Sequence, residues 1–329
     1  MIGEKDVHGF FNLPKGYGDA NMKKAIGFLL AMALTVCFSA CRQDPPEPDP
    51  QSADTEEPYT AGEESHVSEE SLVEDDAPSG EPVERIKIRR SMLTDVEQQL
   101  YDRFLPDVLS FTPFTVRYEE MDYELESLQN ALYAIRVDHP QTWMYFSDGS
   151  DYDTSVHDYV SYSATYFFLK FTDESIATFD PQEMSDYIAR IDGVCDAILQ
   201  QMPEGLSTKE KYVWLADYLC LITYYDDEDE HNLYADGPLL YGKGICQSYS
   251  HAYQWLCQKA GLWCTTCDGL VDGIGHCWNV VRLDNGKTYY MDVTWVDTSR
   301  HPADYYFMTY EKCLQSRTIF EGEWIADGD

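Results

Sequence analysis

Basic residues are scarce in this sequence. Lysine and arginine total 23, against 59 aspartates and glutamates among 329 residues, which gives a formal net charge of −36 at pH 7. Because binding to phosphate depends on clustered Lys and Arg side chains, this deficit argues against a nucleic-acid-binding protein. A positively charged partner, or solubility alone, suits such a charge better.

Long apolar runs are also missing. The run at residues 25–36 is too short to span a bilayer comfortably, follows a basic start at 22–24 and precedes Phe-Ser-Ala-Cys at 38–41, a pattern typical of a secretion signal. The last four residues resemble a bacterial lipobox with Phe38 in place of the usual Leu, which implies that Cys41 is lipidated and becomes the new N-terminus. An ordinary cleaved signal peptide is the alternative. Either way we expect an extracytoplasmic protein.

Composition then divides the chain into four parts. Translation is expected to begin at Met22, within a leader and signal at 1–41. Residues 42–84 hold fifteen acidic residues, one arginine and seven prolines, which predicts a disordered, extended linker rather than a binding tail. From residue 85 onward the composition is globular and aromatic, without internal repeats. We expect an N-terminal α+β region at 85–205 and a catalytic domain at 206–329.

Local patterns predict several elements of the globular part. Apolar periodicity and capping residues indicate helices at 94–105, at 123–137, from Pro181 onward and after a capping box at 207–210. Residues 156–171 are rich in β-branched and aromatic residues and predict a strand. These features form a core and indicate no site by themselves.

The ten cysteines do not suggest a disulfide scaffold. Cys37 lies in the signal, Cys41 is assigned to lipidation and Cys246 is kept free for chemistry. Since seven remain, they cannot all pair, and most are expected to be small buried hydrophobic residues. The seven are Cys195, Cys220, Cys257, Cys264, Cys267, Cys277 and Cys313.

Two weaker patterns could suggest a metal. The acidic run at 226–230 lacks the spaced ligands and turn glycine of a calcium loop, so we expect a solvated loop. Cys264 and Cys267 have the spacing of a redox pair, and Cys257 and Cys277 could be added to make a zinc site. However, the segment is predicted as a strand that follows a helix, and the zinc spacing is irregular. No metal is therefore expected.

Cys246 is the candidate nucleophile. It follows Gly-Lys-Gly-Ile, and the apolar periodicity at 249–260 with Gly261 behind it predicts a helix that begins at the cysteine. Backbone N–H groups and the dipole at a helix N-terminus favour a thiolate. The same N–H groups could receive an oxyanion. A buried structural cysteine is the alternative if Cys246 is taken alone.

His276 and Asp292 lie in two predicted strands joined by an Asp-Asn-Gly turn. A two-residue Asn-Gly loop would put the two side chains on opposite faces of the hairpin. A three-residue loop at 284–286, with its glycine left-handed, pairs Leu283 with Lys287 and makes His276 and Asp292 diagonal neighbours on one face, roughly 7 to 8 Å apart. We predict the three-residue loop, so that the carboxylate can orient the imidazole.

These residues fall in motifs that resemble the transglutaminase-like family, relatives of papain-type cysteine proteases. The motifs are Gly-Ile-Cys-Gln-Ser-Tyr at 244–249, Gly-His-Cys-Trp-Asn at 275–279 and Asp-Val-Thr-Trp at 292–295. The resemblance spans residues 234–298, about a fifth of the chain. It implies an α+β papain-like fold, with the nucleophile at a helix N-terminus packed on an antiparallel sheet and an N-terminal α/β extension.

By this resemblance Cys246 is the nucleophile, His276 the general base and then acid, and Asp292 the residue that orients the base. Ser248 and Cys277 depart from the residues most frequent at their positions but remove no catalytic group. The residues implied to surround substrate and oxyanion are Gly244, Gln247, Trp278, Asn279 and Trp295.

The expected function is cysteine-dependent hydrolysis or acyl transfer on amide bonds of peptides or proteins, without a cofactor. Peptidase or amidase action is favoured over cross-linking, with cell-wall peptides or host proteins as candidate substrates and a membrane contact made only by the lipid anchor. We expect a monomer. The alternative from another class is a non-catalytic surface-binding or scaffolding module. An arylamine N-acetyltransferase is disfavoured because the Arg-Gly-Gly of that family is absent before the cysteine.

Overall fold

Residues 264–291 form three successive antiparallel strands, most of whose residues are buried. The computed structural model describes residues 82–112, 114–117, 121–145, 159–162, 181–227 and 234–329. Its helices are α1 (Pro82–Ile86), α2 (Asp95–Leu109), α3 (Leu125–Asp138), α4 (Pro181–Leu199), α5 (Thr208–Ile222), α6 (Cys246–Lys259), α7 (Val293–Thr298) and α8 (Tyr310–Cys313). Its strands are β1 (Phe114–Arg117), β2 (Tyr159–Tyr162), β3 (Tyr224–Tyr225), β4 (Lys243–Gly244), β5 (Cys264–Val271), β6 (Ile274–Arg282), β7 (Thr288–Met291) and β8 (Arg317–Ile319).

The main sheet has the strand order β7-β6-β5-β8, and each neighbouring pair is antiparallel. Because successive side chains of a strand point to opposite faces, the sheet carries two cores. On one face Val281 and Met291 pack with α4, α5 and α6. On the other face Trp278, Val280 and Tyr290 pack with the C-terminal segment. The fold class is therefore α+β, as predicted.

Predicted helix starts agree with the structure. Thr94 and Ser207 both form capping boxes, in which the hydroxyl accepts the backbone N–H three residues on and the glutamate there accepts the cap N–H. Helix α2 continues past the predicted end to Leu109 and includes Pro106. Of the predicted strand at 156–171, residues 159–162 form β2, which pairs with β1, and the remainder lies outside the described residues.

The segment that begins at Asp292 was predicted to continue the return strand, and this is wrong. Strand β7 ends at Met291, and the carboxylate of Asp292 accepts the backbone N–H of Trp295 at 3.1 Å as the N-cap of α7. An aspartate in front of a short apolar run is a favoured cap. The chain therefore leaves the sheet as soon as Asp292 has been placed.

The predicted boundary between residues 205 and 206 does not interrupt the core. Ile191 and Cys195 of α4 pack in the same cluster as Tyr212 and Leu215 of α5. The leader at 1–41 and most of the linker at 42–84 lie outside the described residues. Within the part that is described, every helix is too short or too polar to cross a bilayer.

Candidate active site

Cys246 is the first residue of α6, as predicted. The helix is preceded by Ile245 in an extended conformation, and Ile245 makes no side-chain cap. The N–H groups of the first helical turn have no carbonyl partner within the helix, so they surround the cysteine with partial positive charge. The cysteine is only 6% exposed.

Ser248 holds this helix start in place. Its hydroxyl accepts the N–H of Ile245 at 2.8 Å and donates to the Ile245 carbonyl at 2.9 Å. A Cβ at Gly244 would overlap this hydroxyl and approach Pro238 Cγ to 3.0 Å. Gly244 is therefore needed for close packing. Ser248, where the sequence departs from the motif that it resembles, has a structural role.

His276 and Asp292 are brought together as the turn predicted. Arg282 pairs with Thr288, and the N–H of Leu283 donates to Lys287 O at 3.0 Å, which is the register of a three-residue loop. Gly286 is left-handed, with φ of 79°. Nε2 of the imidazole lies 2.8 Å from Oδ2 of the carboxylate. The prediction of the loop, and of one shared face, is confirmed.

The carboxylate of Asp292 is fully buried and has three donors. Oδ2 also accepts Nη2 of Arg317 at 2.5 Å, while Oδ1 accepts the N–H of Trp295. Burial alone would raise the pKa of this carboxyl, but the attraction of His276 and then of Arg317 outweighs it and lowers the pKa to about 2. The group is therefore a carboxylate at every physiological pH.

Arg317 was missed in the sequence. It lies on β8, 25 residues after Asp292 in the chain, and is 5% exposed. Its guanidinium stands 4.4 Å from the ring centroid of Trp295 and 5.5 Å from that of Tyr305. Because β8 contributes three residues and follows no motif, only a general preference of a buried carboxylate for a partner could have indicated it.

Contacts between α6 and the sheet show where the cysteine end of the helix lies. Ser250 Oγ donates to Cys277 O near the start of β6 at 2.9 Å. One turn later, Gln254 Nε2 is 3.5 Å from the carbonyl of Cys264, which pairs with the far end of β6. Helix and strand therefore run in the same sense. Since one turn advances about 5.4 Å, Cys246 at the preceding turn is directed to the first residues of β6.

The five residues expected around substrate have different environments. Trp278 and Asn279 are fully buried. Trp278 stacks behind His276 with ring centroids 5.9 Å apart, and Asn279 Nδ2 donates to Ser250 O at 2.9 Å. Both therefore position the helix and the imidazole and offer no surface to a substrate.

The other predicted residues are closer to solvent. Gln247 and Trp295 are half-buried. The ring of Trp295 lies 5.6 Å from that of His276. Two indoles therefore contact the imidazole, and of these Trp295 is the one with exposed surface that a ligand can reach.

Cysteines elsewhere in the described chain are unpaired, and all but the half-buried Cys220 are buried. Burial raises the pKa of the Cys220 thiol to about 12 and that of Cys195 to about 12. Cys264 is the first residue of β5 and Cys267 lies within the strand, so neither is at a helix start. Within the described residues no three His, Cys, Asp or Glu side chains gather as a metal would require.

Comparison with known proteins adds no assignment: no family model matches the chain, and no curated protein matches it significantly.

Proposed function

We propose that the protein is a cysteine-dependent hydrolase or acyltransferase of the transglutaminase-like type, acting on amide bonds of peptides or proteins. Cys246 is the nucleophile, His276 the base and then the acid, and Asp292 the residue that orients the imidazole. The observation that carries this function is the 2.8 Å contact between His276 Nε2 and Asp292 Oδ2. This contact lies at the end of the sheet to which the N-terminal, cysteine-bearing end of α6 is directed.

The geometry supports a defined division of labour. Because Nε2 of His276 faces a buried carboxylate, Nδ1 is the ring nitrogen left to take the thiol proton. The thiolate attacks the amide carbonyl, and the N–H groups of the first turn of α6 can receive the oxyanion. His276 then returns the proton to the leaving amine, which produces a thioester on Cys246.

The second half of the reaction depends on the acceptor. Water releases a carboxylic acid, whereas a lysine amine gives a cross-linked product. We favour hydrolysis, with cell-wall peptides or host proteins as candidate substrates, and the mechanism needs no cofactor. The acidic chain, with a net charge of −36, would attract basic peptides over neutral ones at low ionic strength.

The site of action is proposed to be extracytoplasmic. The basic and apolar pattern at 22–36 supports export, and Cys41 in its lipobox-like setting supports a lipid anchor to the membrane or cell surface. In cells that express the full chain, Cys41→Ser should release the protein from the membrane fraction. Recovery of the variant in membranes at the parental level would contradict the lipid anchor.

Selective alkylation tests the catalytic assignment. Cys220 is an internal control because it is more exposed than Cys246 but its pKa is raised to about 12 by burial. Iodoacetamide should label Cys246 first, and His276→Ala should slow this labelling by about 10²-fold, the usual contribution of a general base. Labelling is followed by peptide mass spectrometry, with unfolding curves to show that the variant is folded.

Activity assays decide between an enzyme and a binding module. We expect purified protein to release fragments from casein or peptidoglycan peptides and to accumulate a thioester at Cys246, with both lost in Cys246→Ala. Slow alkylation of Cys246 at the rate of Cys220, together with no product, would contradict catalysis and favour a non-catalytic scaffold of the same fold.

A further inference from the structure

Arg317 binds the same carboxylate oxygen as His276. Its Nη2 lies 2.5 Å from Asp292 Oδ2, and the imidazole Nε2 lies 2.8 Å from that oxygen. The side chains of Arg317 and Asp292 are 1% and 0% exposed. A permanent cation therefore contacts the carboxylate that orients the proposed base, and solvent does not screen the attraction between the two charges.

Aromatic rings fix the guanidinium in this position. Its Cζ atom stands 4.4 Å from the ring centroid of Trp295, 5.5 Å from that of Tyr305 and 5.6 Å from that of Trp278. Two of these rings, Trp278 and Trp295, also contact the imidazole of His276. Arg317 and His276 thus share one aromatic enclosure as well as one oxygen.

We infer that Arg317 is a positioning residue that sets both the orientation of His276 and the ease with which it is protonated. The inference rests on the proposed function for its catalytic meaning, but the electrostatic coupling stands apart from it. Because Arg317 keeps Asp292 ionised, the carboxylate does not take the proton itself. Because the cation also offsets the carboxylate charge, it restrains protonation of the imidazole.

Other charged and titratable groups reach this pair from the neighbouring elements. Asp268 of β5 acts on His276 through space, and the thiol of Cys313 on α8 feels both Arg317 and Asp292. Cys246 is the first residue of α6, the helix that contacts β6 through Ser250. Among the described residues, Arg317 is the cation that contacts Asp292 directly, so removing it should change the local charge more than any other single substitution.

Two variants that remove opposite charges distinguish this role from simple packing. Arg317→Met removes the cation and should move the NMR titration of the His276 imidazole to higher pH by about 1 unit. Asp292→Asn removes the anion and should move it to lower pH. Both variants remove the ion pair between Arg317 and Asp292, so a merely structural role would shift the two titrations in the same direction. The titration is measured in full-length Cys246→Ser protein, where the thiolate cannot contribute.

Arg89 supplies a matched control. It is also a buried arginine. It pairs with the buried carboxylate of Glu323 and donates to the carbonyl of Thr266 in β5. Arg89→Met should lower the stability comparably and leave the His276 titration in place. If Arg89→Met moves it as far as Arg317→Met does, or if Arg317→Met leaves it unchanged, the inference is overturned.

A conservative variant covers the case in which Arg317→Met does not fold. Arg317→Lys keeps the charge and should retain the parental titration of His276, and a shift as large as that of Asp292→Asn would overturn the inference. Alkylation of Cys246 in the parent then reads out the proposed function separately. Slow alkylation with the expected titration shifts would remove the catalytic role and leave the coupling standing.

Discussion

Asp292 combines three tasks that are usually divided between residues. It accepts His276 and Arg317 on one oxygen and caps α7 with the other. Full burial opposes ionisation, yet the contacts with His276 and Arg317 lower its pKa to about 2. A single carboxylate therefore ties the imidazole, the last strand and a helix start into one unit.

Asp292→Asn should cost stability in a pH-dependent way. The carboxyl pKa falls from 3.8 in the unfolded chain to about 2 in the fold, so its ionisation stabilises the fold by about 2 kcal/mol above pH 4. This contribution is lost as the pH falls through 2. Urea unfolding should therefore show a larger deficit for the variant at pH 7 than at pH 2.5. An equal deficit at both values would mean that only packing is lost.

The proposed catalytic residues could be picked out in the sequence because each stands in a short motif whose chemistry is local. Arg317 could not, because its contact with Asp292 is made across the sheet by a short strand without a pattern of its own. The burial of Trp278 and Asn279 was also not evident. Whether a polar or aromatic side chain of a motif faces a substrate or the core depends on which elements cover it.

The start of α6 depends on close packing between three chain segments. Gly244 pairs with Tyr225 in the short parallel ladder of β3 and β4, and Ser248 bonds both backbone groups of Ile245. There is no room for a Cβ at Gly244. The position of the Cys246 thiol therefore depends on the packing of the whole start of α6.

Gly244→Ala should slow alkylation of Cys246, because the added methyl group displaces the Ser248 hydroxyl and with it the first turn. A loss of about 10-fold and a destabilisation of about 1 to 3 kcal/mol are expected for overpacking. Gly193→Ala is the matched control, since Gly193 lies in α4 with open space around it. That variant should keep the parental alkylation rate and be as stable or slightly more stable. Parental alkylation in Gly244→Ala would refute the steric role.

At this scale, sequence periodicity was most informative for helices and for the hairpin. The three-residue turn followed from one requirement, that two polar side chains share a face. The change from strand to helix at Asp292 was missed, because the β-branched residues at 293–294 favour a strand and the cap is made by a side chain that also contacts His276. The π-helical turn Gly237–Tyr241 was not predicted, because no periodicity or capping pattern in the sequence indicates it.

For the whole molecule, acidity acts on stability through buried groups as well as through net charge. Asp138 and Asp236 are both fully buried, and burial raises the pKa of each to about 7. A carboxyl whose pKa is raised in the fold stabilises it fully below the unfolded value of 3.8, and this contribution is lost as pH rises through 7. Repulsion within a chain of charge −36 grows in the same direction. We therefore expect maximal stability on the acid side of neutrality.

Asp236→Asn should flatten this pH dependence. One carboxylate oxygen of Asp236 accepts the Tyr187 hydroxyl at 2.8 Å, and an amide keeps an acceptor oxygen, so it can replace the protonated acid with little loss. Relative to the parent, the variant should gain on the order of 4 kcal/mol in unfolding free energy between pH 4 and pH 8. Asp217 is the control, because it also accepts a tyrosine hydroxyl, that of Tyr306, but is exposed. Urea unfolding at fixed ionic strength should show the parental slope in Asp217→Asn and a reduced slope in Asp236→Asn. Equal slopes in both variants would mean that Asp236 does not carry the pH dependence and would leave Asp138 and the net charge as its sources. Added salt should reduce only the part that comes from net charge.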